Sequence, residues 1–141
     1  MKINVKSVIT SGLVAGLLIS LSAITMVPVV GNQMDEVLAS RGLPPLSNLD
    51  MVYFVMLSFI NGIALILLYA IVKERLGAGI RTALIVSAVF WFIAYFFHSI
   101  SLIVYGFMPV RLTVIGIIWG LGELLLGGIV GSKLYKEVKE K

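Results

Sequence analysis

Four long stretches of this chain carry almost no acidic or basic side chains: Val8 to Val30, Met51 to Val72, Thr82 to Tyr105 and Leu112 to Ser132. Each is long enough to cross the roughly 30 Å hydrocarbon core of a bilayer, which takes about 20 apolar residues in a helix. Lipid offers no hydrogen bonds, so a spanning segment has to pair its own N–H and C=O groups, and the α-helix does so within one segment. With 60% hydrophobic residues, 13% charged residues and a mean hydropathy of +1.08, the chain has too little polar surface to coat a water-soluble globule. The expected fold is all-α: an integral membrane four-helix bundle, forming a single transmembrane domain over residues 1–141.

Lys2 and Lys6 precede the first stretch, but its apolar run is longer than the roughly 7 to 15 residues of a cleaved signal, so a retained helix is expected. In the first connection Asn32 is expected to cap a short amphipathic turn through Met34, Val37 and Leu38, ended by Gly42 and the Pro44-Pro45 pair. That turn is expected to lie on the membrane surface as part of the first external loop. Ser47 and Asp50 have the spacing of a capping box at the start of the second span. Gly106 to Pro109 form the tightest connection, so the third and fourth spans are expected to form an antiparallel hairpin.

Lys2, Lys6, Lys73, Arg75, Arg81, Lys133, Lys136, Lys139 and Lys141 fall on one side of the spans, and only Arg41 and Arg111 on the other. The cation-rich side is expected to be cytoplasmic, which puts both termini inside and the chain in the cell's inner (cytoplasmic) membrane. These cations flank apolar segments instead of forming a stripe with exposed aromatics, so nucleic acid is not an expected partner. The absence of cysteine excludes disulfides, thiolate metal sites and palmitoylation.

Charged residues at the span ends act as depth markers. Asn61 lies 11 residues from Asp50 and 12 from Lys73, and Glu123 lies 12 from Arg111 and 10 from Lys133. Both belong near the bilayer midplane, with Tyr95 and Ser20 at similar depth. An ionised, unpaired carboxyl costs several kcal/mol there, so Glu123 is expected to turn inward and to carry a proton much of the time. It either binds a proton or small solute, with Asn61, Tyr95 and Ser20 completing the site, or serves as a hydrogen-bonding group between helices.

Ser87, Trp91, Tyr95, His98, Ser101 and Tyr105 recur at steps of three or four, as one helical stripe would require. His98, Trp91 and Ser101 make a secondary candidate site near the outer surface. No cofactor is expected from any motif; haem on His98, the only histidine, would need two copies of the chain for two histidine ligands. No metal site is expected.

Gly12, Gly16 and Ser20 repeat every four residues on the first span, and Gly116, Gly120, Gly127 and Gly131 nearly do so on the fourth. Small residues let helix backbones approach closely. Gly12 and Gly16 share a depth with Gly127 and Gly131, and those two surfaces are expected to touch, within one chain or between protomers.

No phosphate-binding loop, His-Glu-x-x-His pattern or serine elbow is present, which leaves hydrolysis and nucleotide use without support. Three readings remain: movement of a proton or small solute at Glu123, a non-catalytic accessory or assembly subunit, and a haem- or lipid-binding protein using His98. The lipid bilayer and a homo-oligomer or larger membrane complex are the expected partners. The expressed chain should sediment with membranes at high speed and enter solution only with detergent; a compact soluble particle without detergent would overturn the membrane assignment.

Overall fold

A computed structural model describes residues 3–138 of the chain. The topology markers Lys2, Lys139 and Lys141 lie outside the described residues. The chain forms α1 (Val5–Ser40), α2 (Asn48–Leu76), α3 (Ile80–Trp91), a π-helical turn (Phe92–Phe96), α4 (Phe97–Val104) and α5 (Val110–Leu134). Since α3, the π turn and α4 run continuously from Ile80 to Val104, four helices among the described residues are long and apolar enough to cross a membrane.

Capping explains most of the boundaries. The Asn4 side chain accepts a hydrogen bond from the Ser7 N–H at 3.1 Å and opens α1. At its far end Gly42, at φ 69°, takes the left-handed conformation. The N–H groups of Gly42 and Leu43 then donate to Ala39 and Leu38 carbonyls, both at 3.0 Å, in a Schellman closure. Ser47 and Asp50 form the capping box of α2, with Asp50 N–H to Ser47 Oγ at 3.3 Å and Ser47 N–H to Asp50 Oδ2 at 2.7 Å. Gly106, at φ 71°, closes α4 as Gly42 closes α1, and Pro109 immediately precedes α5.

The first span differs from its expected form. Residues 31–40 do not start a new turn at Asn32; they extend α1, which keeps its helix through Pro28 and reaches 36 residues. That length corresponds to about 54 Å, so α1 outruns the hydrocarbon thickness. Gln33 to Leu38 contain no residue that stops a helix, and the stop comes only at Gly42.

Within the bundle α1 packs against α2 and α5, and α3 packs against the same two helices from the opposite corner. Successive spans are antiparallel. Ile19, Leu65, Tyr69, Ala83, Val86 and Leu124 form the buried core. At most 33% of the most apolar stretch of any span is buried within the chain, and Ile93 and Ile118, near mid-span, are each 66% exposed. Such an outer surface suits lipid tails and not water.

The closest backbone approach joins α1 to α2. A Cβ on Gly62 would fall 2.6 Å from Gly16 Cα, and one on Gly16 would fall 2.6 Å from Phe59 Cα. Gly12 and Gly16 therefore close against Gly62, not against Gly127 and Gly131. The latter pair does meet α1, but on the neighbouring face: the Cβ position of Gly127 is 3.3 Å from Ala15 O and 3.3 Å from Ile19 Cγ1. Gly120 holds the Tyr95 ring instead of a helix backbone, and Gly116 has nothing within 4 Å. Gly62→Ala should lower the thermal midpoint of the detergent-solubilised protein, through an overpacking cost of about 1–3 kcal/mol. Gly116→Ala should leave the midpoint unchanged.

Candidate functional site

Glu123 is buried on α5, 7% exposed, with Leu124 beside it fully enclosed. Its Oε1 accepts a hydrogen bond of 3.0 Å from the Tyr95 hydroxyl. Gly120, one turn away on the same helix, makes room for the tyrosine, since a Cβ there would sit 2.8 Å from Tyr95 Cε1. The missing side chain at Gly120 lets the ring lie against α5 while the hydroxyl reaches the carboxyl.

Tyr95 belongs to the π turn, and this turn explains why the polar stripe of the third span splits. A π turn closes i→i+5 hydrogen bonds and inserts one extra residue, which advances the helix face by about 100°. Before it, Ser87 is buried and the Trp91 indole N–H donates to Ile117 O at 2.9 Å, so this part of the stripe faces α5. After it, Ser99, Leu102 and Ile103 take the inward positions, while His98, Ser101 and Tyr105 are exposed. The Ser101 hydroxyl donates to its own helix at Phe97 O, 3.0 Å away. His98, Trp91 and Ser101 consequently do not share a site. Among the described residues His98 has no hydrogen-bond partner, and no group of three or more His, Asp or Glu side chains could hold a metal ion.

Of the other midplane residues, Ser20 is buried on α1 and Asn61 is half-buried beside the Gly62 contact. Neither side chain hydrogen-bonds Glu123 or Tyr95 among the described residues; Glu123 and Tyr95 are the two that the fold brings together.

Two features were not legible as site residues. The Ser87 hydroxyl is fully buried with no hydrogen-bond partner among the described residues, and it faces Gly128, where a Cβ would collide with it. Gly128 is five residues beyond Glu123, about 7.5 Å of helical rise toward the termini. A buried hydroxyl without a partner is costly and rare.

The second feature is a cleft of about 280 Å³ at the end of the bundle where the described termini meet, lined by Tyr69, Lys73, Gly79, Lys133, Tyr135 and Glu137 among others. Lys73, a topology marker in the sequence, is only 8% exposed, pairs with Glu137, and sits 4.7 Å from the centre of the Tyr135 ring. A signal for its inward direction existed, because Leu65, Tyr69 and Lys73 continue one buried face at steps of four.

No family, curated protein or solved structure matches this chain. Functional assignment therefore starts from the side chains themselves. Tyr95→Phe should shift the infrared carboxyl band that Glu123→Gln removes, and should cost about 0.6–2 kcal/mol of stability. A band that does not move would show that the hydrogen bond is missing in the folded protein.

Proposed function

We propose that this chain is a multi-pass inner-membrane protein that binds and moves a proton or small cation at Glu123. Both termini face the cytoplasm in this reading, which rests on the cation count of the two sides. The observation that carries it is the Tyr95–Glu123 hydrogen bond, deep in a bundle whose outer surface is apolar.

A midplane carboxyl is costly to keep unless it is neutral or paired. Tyr95 supplies one donor to Oε1 and leaves the other carboxyl oxygen free to take up a proton or contact a cation. The π turn is the means of transfer: such turns hold an extra residue that the helix can accommodate elsewhere, and they recur at functional sites. A one-residue migration of that turn would swing Tyr95 away from α5 and alter the hydrogen bonding of Glu123. Ser87, without a partner and one to two turns nearer the termini, offers the next polar stop toward the cytoplasmic end.

A second reading, assembly with another copy or a larger membrane complex, is favoured by Gly116 and Gly122 on α5. Among the described residues neither has anything within 4 Å of its Cβ position, so both leave open places where another helix could approach closely.

Proton or cation flux in proteoliposomes separates the two. Glu123→Gln should reduce flux to background, and Tyr95→Phe should reduce it about tenfold, the equivalent of about 1.4 kcal/mol in the barrier. Flux at background level in wild type and both variants would end the transport reading and leave assembly.

A further inference from the structure

The cleft at the termini end is independent of Glu123 and has chemistry of its own. After α5 ends at Leu134 the chain continues as an extended strap across the bundle. The Asn4 N–H donates to the Tyr135 hydroxyl at 3.3 Å, Asn4 Nδ2 donates to Lys136 O at 3.0 Å, and the Lys136 N–H donates to Ser7 Oγ at 2.7 Å. These bonds hold the strap to the start of α1 through the Tyr135 hydroxyl and the Lys136 backbone. They do not involve the Glu137 side chain, which is held by Lys73 and is 72% exposed.

An ammonium group as enclosed as that of Lys73 needs an anion. The one it has comes from a mostly exposed side chain on the solvent edge, which can turn away without breaking the strap's own hydrogen bonds. Lys133 lines the same cleft, and the start of α3 faces it at Gly79 and Ile80, where the Gly79 N–H donates to the Tyr69 hydroxyl at 3.1 Å. Around this end Lys6, Lys73, Arg75, Arg81, Lys133 and Lys136 face only two described carboxylates, Glu74 and Glu137.

We propose that the cleft binds an anionic phosphate group through Lys73 and Lys133, and that the Glu137 carboxylate is a displaceable internal substitute for it. Lys133 stands ten residues from Glu123, about 15 Å of rise, so a midplane Glu123 sets the cleft at the depth where lipid phosphates lie. A phosphatidylglycerol headgroup and a free phosphate share this chemistry, and the test separates them.

The full-length protein is compared with Glu137→Gln, Lys133→Gln and Arg75→Gln; Arg75 is a cation of the same end that does not line the cleft. One arm counts retained phosphatidylglycerol against neutral phosphatidylcholine by native mass spectrometry. The other titrates inorganic phosphate by calorimetry. Lys133→Gln should weaken binding and Arg75→Gln should not, while Glu137→Gln should tighten it roughly threefold, as expected for removing a competing carboxylate that is itself largely exposed. That order in the first arm alone assigns a lipid headgroup, and in the second a soluble phosphate. Equal losses in Lys133→Gln and Arg75→Gln, or no gain in Glu137→Gln in either arm, would overturn the proposal, because binding would then be a general attraction to a basic surface. All three substituted side chains are exposed; because Glu137→Gln also leaves the enclosed Lys73 ammonium without its partner, the thermal midpoint of each variant is recorded beside its binding.

Discussion

The structure depends on one constraint: an apolar chain this long has to close its backbone hydrogen bonds within each segment. Four helices follow, and with them the placement of every polar group. The chain ends its helices with devices that satisfy the last free carbonyls locally, at Gly42 and Gly106, or the first free N–H groups, at Asn4 and Ser47. Between those ends little polar material remains, and what remains has to find partners across helices. Trp119 does so on α1, its indole N–H reaching Ser22 O at 3.2 Å, and Trp91 does so on α5.

Close packing supplies the attraction that the hydrophobic effect cannot supply between helices in lipid. The α1–α2 contact at Gly12, Gly16 and Gly62 brings two backbones together, whereas four glycines of α5 receive side chains: Tyr95 at Gly120, Ile19 at Gly127, Ser87 at Gly128 and Ile66 at Gly131. The distinction bears on function. A backbone contact is rigid, while a glycine that receives a tyrosine on a π turn leaves that tyrosine a place to move from.

The bundle thus has two polar regions of different character. The carboxyl region at Glu123 is enclosed and sparse, with one hydrogen bond from Tyr95. The cleft at the termini end is cationic, aromatic and open to the surface through Glu137. The unpartnered hydroxyl of Ser87 lies between them along the helix axes.

Hydropathy and helical period are properties of single segments, so the sequence by itself determined the four helices, the caps at Ser47 and Gly106, and the burial of Glu123. It also pointed to Tyr95 as a residue of the same depth, but could not choose it over Asn61 or Ser20. The tertiary structure decided that choice, because the π turn at Phe92–Phe96 resets the helix face by one residue and sends Tyr95 inward and His98 outward. It likewise decided that Gly12 and Gly16 meet Gly62, and that Lys73 is buried beneath Tyr135 instead of standing free as a charge at the membrane edge. The physical reason is common to all three: which face of a helix meets which neighbour is settled by competition among all the packed surfaces at once, and no single segment contains that information.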